Sequence, residues 1–260
     1  MALIEHDLFR GRIDRVQIAI DRLKMFEPEE GYYLAYSGGK DSDTILALAK
    51  MAGVKFDAHY HLTTVDPPEL VYHVRRHPEV VIIDRPEMTM WQLIRKNKIP
   101  PTRKIRYCCR LLKEQGGSGR VVVTGVRSGE SIKRSKRKMN EVCYTDPTKT
   151  YLHTIIDWSD TDVWEFLKSN NIPYCKLYKE GYSRLGCVLC PLKSQRERVK
   201  DLNRYPRIAD AYKRAIIRAY DSRERPSKGI TSGEDMFNWW ISGRSAKEWA
   251  EKDTSFWAYE

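Results

Sequence analysis

Residues 31–51 read GYYLAYSGGKDSDTILALAKM, and this stretch decides the fold. The apolar and aromatic run over 31–36 predicts a short buried strand. The hexapeptide Ser37-Gly38-Gly39-Lys40-Asp41-Ser42 follows, and residues 44–51 predict a helix. A strand, a glycine loop and a helix in that order make a site for a phosphate group. Gly38 and Gly39 permit backbone angles that side chains forbid, so several amides can turn toward one anion. The helix start adds unpaired N–H groups and the positive end of its dipole. Ser37, Ser42 and Lys40 supply hydroxyls and a cation. Asp41 is the exception, because a carboxylate repels phosphate unless it caps the helix or holds magnesium. A plain strand-to-helix turn explains a glycine pair but not the whole hexapeptide, so Lys40 and Asp41 are the candidate catalytic residues.

Working outward, residues 14–26 space Val16, Ile18, Ile20 and Leu23 as one face of a helix. Strands are predicted over 55–61, 80–83 and 120–124, and helices over 67–76, opened by Asp66 and Pro67, and over 88–96. Strands alternating with helices imply an α/β fold, a doubly wound and mostly parallel sheet covered on both faces. The alternation stops near Thr150. A helix over 159–169, a cysteine-bearing loop over 173–191 and helical stretches beyond Ser194 follow. The predicted organisation is one α/β domain over residues 1–193 and a helical C-terminal extension over 194–260, with no internal repeat and no low-complexity linker.

The chain has 260 residues, enough to bury a real core. It contains no apolar run of the roughly 18 residues that a bilayer span needs. Its first ten residues include Glu5 and Asp7 and lack the apolar core of a signal peptide, so a cytoplasmic location is expected. Lys and Arg number 46 against 35 Asp and Glu, a formal charge of +11 that suits a polyanionic partner, nucleotide or nucleic acid. Part of the excess sits in residues 125–138, where Arg127, Lys133, Arg134, Lys136, Arg137 and Lys138 follow a predicted strand, at the rim where α/β folds bind ligands. Arg127 and Arg134 are candidates for phosphate contacts because a guanidinium fork matches phosphate oxygens. Lys136 to Lys138 fit a solvated basic face as well as a nucleic-acid channel. Asp66 is a weaker candidate for contact with ribose. In the tail, Phe237, Trp239, Trp240 and Trp249 fit helix packing better than stacking on bases.

The six cysteines are Cys108, Cys109, Cys143, Cys175, Cys187 and Cys190. In a reducing compartment a vicinal pair plus a Cys-x-x-Cys points to metal or redox chemistry rather than disulfides. Four thiolates suit a zinc ion or an iron–sulfur cluster. Adjacent cysteines strain one tetrahedral ion, whereas a cubane offers each a separate iron, so Cys108, Cys109, Cys187 and Cys190 are read as ligands of a 4Fe–4S cluster in preference to zinc. Cys143 and Cys175 are either sulfur carriers or small core residues. The histidines at 59, 61, 73, 77 and 153 show no metal-ligand spacing.

The hexapeptide resembles the pyrophosphate loop of the N-type ATP pyrophosphatases, the PP-loop superfamily with an adenine nucleotide alpha hydrolase-like fold. That resemblance implies ATP with Mg2+, cleaved between the α- and β-phosphates. The spacing Gly-x-x-x-x-Gly-Lys-Ser/Thr of the kinase P-loop is absent. Further along, Asp157-Trp158-Ser159 through Asp162-Val163-Trp164, then Ile172-Pro173-Tyr174, Leu177-Tyr178, Gly181-Tyr182 and Gly186-Cys187-Val188-Leu189-Cys190 resemble phosphoadenosine phosphosulfate reductases. Gly125-Val126-Arg127-Ser128-Gly129-Glu130-Ser131 resembles the same family's Gly-x-Arg-x-x-Glu-Ser segment. The four cysteines are similar to the cluster-bearing adenylyl sulfate reductase branch, which again implies the same four ligands.

Two departures bend this resemblance. Sulfonucleotide reductases use a cysteine near the C-terminus, and no cysteine follows Cys190 here. Their phosphate loop is usually degenerate, and this one is intact. The expectation is therefore an ATP-dependent adenylating enzyme that couples adenylation to sulfur transfer, similar in its parts to DNA phosphorothioation and tRNA thiolation enzymes. A sulfur donor protein and a nucleic-acid acceptor, tRNA or DNA, are the partners that likeness implies. The competing expectations are a phosphoadenylyl or adenylyl sulfate reductase drawing thioredoxin-like electrons, and a non-catalytic nucleic-acid-binding iron–sulfur module.

Overall fold

The computed structural model describes residues 3–7, 11–78, 80–224 and 229–251. A two-stranded antiparallel hairpin, β1 (Ile4–Asp7) and β2 (Gly11–Asp14), leads into helix α1 (Arg15–Met25). Asp14 caps α1 by accepting from the amides of Val16 and Gln17. Strand β3 (Tyr32–Ala35) is buried over Tyr32, Tyr33 and Leu34. Helix α2 (Lys40–Ala52) follows, then β4 (Phe56–His61), α3 (Pro68–Val74) and β5 (Val81–Asp84). Helices α4 (Met90–Asn97) and α5 (Tyr107–Leu112) precede β6 (Val121–Val123). A short helix α6 (Ile132–Ser135), strands β7 (Asn140–Val142) and β8 (Thr150–Leu152), and helix α7 (Asp160–Ser169) complete this part. Four more helices end the described chain: α8 (Gln195–Arg204), α9 (Pro206–Asp221), α10 (Gly233–Ser242) and α11 (Ala246–Ala250).

The main sheet has six strands in the order β5-β4-β3-β6-β8-β7, parallel throughout except for the β7–β8 pair. From β3 the chain winds outward through β4 to β5, then restarts on the other side of β3 with β6. That is the doubly wound, mostly parallel α/β fold expected, and the reversal puts a switch point between β3 and β6. In open α/β sheets ligands bind beyond the C-terminal strand ends at such a point.

Three local features differ from the sequence reading. Helix α2 starts at Lys40 rather than residue 44, because Gly39 takes the extended N-cap conformation and Asp41 and Asp43 complement the dipole in the first turn. Strands β7 and β8 add a sheet edge that the alternation did not show, and the β1–β2 hairpin was not anticipated. Each strand of that edge has three residues, too few to display a period of two.

The described residues form two compact units. The first draws on 1–61, 68–84 and 115–185 and contains the sheet. The second draws on 62–67, 85–114 and 186–260, so its core packs Met90, Leu93 and Ile94 of α4 against Tyr212, Ile216, Met236 and Trp240 of the C-terminal helices. The tail tryptophans are core here: Trp240 is buried and donates Nε1–H to Pro101 O at 2.6 Å. The 1–193 and 194–260 division remains our proposed domain organisation, and the compact units cut across it. Trp257 and the rest of residues 252–260 lie outside the described residues. Among the described residues no helix is long and apolar enough to cross a membrane.

Candidate functional site

The hexapeptide sits at the switch point, between the end of β3 and the start of α2. Gly38 has φ +70°, and a Cβ there would lie 2.8 Å from side-chain atoms of Leu70 and of Val74 in α3. Both the backbone angle and the space require glycine. The first backbone bond recorded for α2 runs from Asp43 N to Gly39 O at 2.9 Å, so the amides before it are not consumed by the helix. Ser37 and Ser42 hydroxyls lie 3.2 Å apart, and Ser42 Oγ donates back to Gly39 O at 2.8 Å.

Behind the loop a buried bond clamps its two ends. Tyr36, just before Ser37, donates its hydroxyl to Asp43, just after Ser42, at 2.6 Å. His73 Nε2 of α3 lies 3.0 Å from both oxygens of that carboxylate. Burial pushes the Asp43 carboxyl above its ordinary range even though His73 and Tyr36 act against it.

In front of the loop four charged residues interlock. Lys40 Nζ lies 3.0 Å from Asp41 Oδ2 and 3.0 Å from Asp160 Oδ1. Arg127 donates Nε–H to Asp41 Oδ1 at 2.6 Å and Nη2–H to Asp160 Oδ1 at 2.9 Å. Lys40 and Arg127 are buried, at 6% and 4% exposure, while the Asp160 side chain is 61% exposed. Partial burial would raise the Asp160 carboxyl, but Lys40 and Arg127 outweigh it and hold the group below the usual carboxylate range. The approach of β6 to α2 depends on Gly125, where a Cβ would meet the Asp41 backbone at 2.9 Å. The structure thus joins Lys40, Asp41 and Arg127, and adds Asp160. Asp160 opens α7, behind the Ser159–Asp162 capping box, within the stretch that carries the family resemblance, but it is not among the candidate residues read from the sequence.

Arg134 does not join the four. It pairs with Glu130, whose carboxylate also accepts the Arg127 amide at 3.1 Å, so it stands one residue away from the network. Lys133, Lys136 and Lys138 are exposed, as are Ile132 at 83% and Tyr144 at 101%. Cys175 is buried beside Leu70, Leu177 and Tyr182. Cys143 follows β7 and lies 3.4 Å from the Thr145 hydroxyl; partial burial would raise its thiol, but hydrogen bonds to Thr145 and Tyr151 bring it below the ordinary value.

Cys108, Cys109, Cys187 and Cys190 all belong to the second unit, as does Asp66, which accepts from Thr63 N at 2.7 Å. Cys108 and Cys109 lie in the first turn of α5; the neighbouring Cys109 and burial raise the Cys108 thiol, while Cys108, Arg106 and Lys113 lower the Cys109 thiol against its burial. Arg106 Nη2–H reaches Cys109 Sγ at 3.5 Å, and the positive charge of Lys113 acts on the Cys187 thiol. Cys187 and Cys190 are close enough for their charge to act on Cys108. The turn between them is built by Leu189 at φ +57° and by Asp201 of α8, fully buried, which accepts from Leu189 N at 2.8 Å and Lys193 Nζ at 2.6 Å. All six thiols are unpaired. Among the described residues no three His, Cys, Asp or Glu side chains are arranged to hold a single metal ion.

The family profile named Phosphoadenosine phosphosulfate reductase domain matches residues 31–193, well over half of the chain. The chain belongs to that family. An uncharacterised protein of Methanocaldococcus jannaschii is 28% identical over 210 residues, covering 75% of this chain and 43% of its own length. An adenosine 5′-phosphosulfate reductase of Neisseria meningitidis is 32% identical over 150 residues, covering 55% of this chain and 46% of its own length. A probable FAD synthase of Caenorhabditis elegans is 28% identical over 186 residues, covering 68% of this chain and 33% of its own length. The match thus spans less than half of each of these relatives. Among solved structures, the phosphoadenylyl-sulfate reductase of Candida auris superposes with a TM-score of 0.52 at 17% identity, over 65% of this chain and 87% of that one. That likeness is one of fold. This member of the phosphoadenosine phosphosulfate reductase family has an adenine-nucleotide-binding domain, and its Ser37–Ser42 loop lies at the sheet's switch point.

Proposed function

We propose that this family member is an ATP-dependent adenylating enzyme that activates an acceptor oxygen for displacement by sulfur. The observation that carries the reading is the Lys40–Asp41–Arg127–Asp160 network in front of an intact phosphate loop. Two cations and two carboxylates balance one another there. Phosphate oxygens of ATP compete with the exposed Asp160 carboxylate for Lys40 and Arg127, so binding shifts both cations toward the nucleotide. The carboxylates of Asp41 and Asp160 would then be free to hold Mg2+, which takes hard oxygen donors. Lys40 stabilises the charge that grows on pyrophosphate as the α–β bond breaks. Acceptor hydroxyl and ATP give acceptor-O-AMP, pyrophosphate and a proton. A sulfur nucleophile then forms its bond to the acceptor, and AMP leaves with the electrons of the broken bond. Relatives named for FAD synthesis and for adenosine 5′-phosphosulfate reduction support an adenine nucleotide as the ligand.

The thiol set fits a thiolate-bound group: one thiol held down, two cations beside the sulfurs and a turn braced by a buried aspartate. We assign Cys108, Cys109, Cys187 and Cys190 to a 4Fe–4S cluster, which would supply electrons or a binding point for sulfur. Exposed Lys133, Lys136 and Lys138 support a nucleic-acid acceptor, and six unpaired thiols support the cytoplasm.

Isotope exchange between pyrophosphate and ATP tests the reading, since only reversible adenylation moves label between them. Exchange that requires Mg2+ and an acceptor supports it. One observation favours a second reading, the 32% identity to an adenosine 5′-phosphosulfate reductase. Sulfite formed from a sulfonucleotide, with no exchange, would establish that reading and end the first. Nucleic-acid binding with neither reaction would leave a binding module.

A further inference from the structure

Tyr178, against the phosphate loop, has a hydrogen-bond donor with no acceptor among the described residues. Lys40 N donates to Tyr178 Oη at 2.9 Å, so a phenol oxygen takes the first helical amide behind the two glycines. A phenol also has a proton to give. Among the described residues no acceptor is found for the Tyr178 proton. Burial pushes this hydroxyl above its ordinary pKa, so the proton stays in place at neutral pH.

The ring is held firmly. Trp164 of α7 meets it edge-on at 5.0 Å and 87°, Tyr174 lies 6.4 Å away at 68°, and Trp164 and Tyr174 meet at 5.1 Å and 81°. Leu177, its neighbour, is fully buried. The hydroxyl sits 3.4 Å from where a Cβ on Gly39 would lie, against the loop backbone itself. A rigid, protonated donor next to Lys40 and the glycine amides is suited to an anionic oxygen, and pre-organised donors of this kind cost little to use.

We propose that Tyr178 is a ligand-binding residue of the loop, accepting from the Lys40 amide and donating its own proton to a phosphate oxygen of the bound nucleotide. The proposal rests on the nucleotide reading above and adds a residue that lies outside the hexapeptide. In a relay of amide, phenol and phosphate, each hydrogen bond polarises the next.

The test uses the full chain with ATP, inorganic pyrophosphate and adenosine as probes. Gly39-Lys40 is the only Gly-Lys step in the sequence, so labelling glycine carbonyls with 13C and lysine nitrogens with 15N isolates one resonance, the Lys40 amide. Saturating pyrophosphate is expected to shift that resonance in the wild type. Tyr178→Phe keeps the ring packing and is expected to move the resonance before any ligand is added. It should also weaken ATP and pyrophosphate binding by about tenfold or more, as loss of a charge-assisted bond does, while adenosine binds as it does to wild type. Equal weakening for all three probes would make Tyr178 a structural residue and overturn the proposal. Normal ATP and pyrophosphate binding by Tyr178→Phe, alongside loss in Lys40→Ala, would overturn it and leave the nucleotide reading intact. A wild type that binds neither ATP nor pyrophosphate would remove both. Should Tyr178→Phe not fold, a wild-type Lys40 resonance unmoved by pyrophosphate decides against the proposal.

Discussion

Arg127 links two carboxylates with one side chain, Nε–H to Asp41 and Nη2–H to Asp160. A lysine at this position offers one ammonium on a flexible stem in place of two separate donors held in a planar fork. Arg127→Lys is therefore expected to raise the KM for ATP by about tenfold or more while the melting temperature changes little, as steady-state kinetics and thermal denaturation would show. An unchanged KM would remove Arg127 from the nucleotide site. The same network marks what the sequence made legible at this scale. Lys40 and Asp41 announce themselves because the hexapeptide is contiguous and its chemistry is local. Asp160 and Tyr178 come from more than a hundred residues away and lie in stretches that read as a helix start and a cysteine-bearing loop. Their roles exist only once the chain has brought them to the loop.

At the scale of elements, two side chains fasten segments that the sequence reading treated separately. Asp201 of α8 holds the turn that carries Cys187 and Cys190, through Leu189 N and Lys193 Nζ. Removing one partner of a buried charged pair leaves the other uncompensated, so Asp201→Ala should cost on the order of 3 kcal/mol in urea unfolding. It should also lower the iron retained by anaerobically purified protein. Retention of both at wild-type levels would show that the turn holds without Asp201. The second fastening is Arg22 of α1, whose fork meets Asp157 ahead of α7 with two contacts of 2.8 Å. Burial would raise the Asp157 carboxyl, but Arg22 outweighs it and holds the group below the usual range. The folded pKa is thus lower than the unfolded value of about 3.9, so the bond stabilises the fold above that pH and fades as pH falls through the folded value. The stability difference between wild type and Arg22→Met should be full at pH 6 and shrink steadily below about pH 4. A difference that does not vary with pH would contradict this. Among the elements themselves, helices and central strands were legible from periodicity. The missed pieces were β7, β8 and the opening hairpin, whose few residues give a pattern no room to repeat.

At the scale of the whole molecule, the charge of +11 and the exposed lysines beside α6 are where the acceptor question is decided. If a nucleic acid is the acceptor, replacing Lys133, Lys136 and Lys138 together by Ala should weaken its binding. The change should also flatten the log–log salt slope by about 2 to 3, since each phosphate contact contributes about 0.9 on duplex DNA. Titrations at several salt concentrations measure both, and an unchanged slope would place the acceptor elsewhere. The organisation into two compact units was the least legible feature. Residues 62–67 and 85–114 lie between strands of the sheet in sequence, yet they pack with the C-terminal helices, because the apolar faces of α4 and α9 match each other. Alternation along the chain orders elements but does not say which core each one joins.

The most direct test of the central claim is pyrophosphate release from ATP by anaerobically purified protein of known iron content, wild type against Lys40→Ala, with tRNA or DNA added. The account predicts Mg2+-dependent release that a nucleic acid stimulates and that falls by at least about a hundredfold in the variant. No release from wild type under any of these conditions, with sulfite appearing instead from a sulfonucleotide, would contradict it.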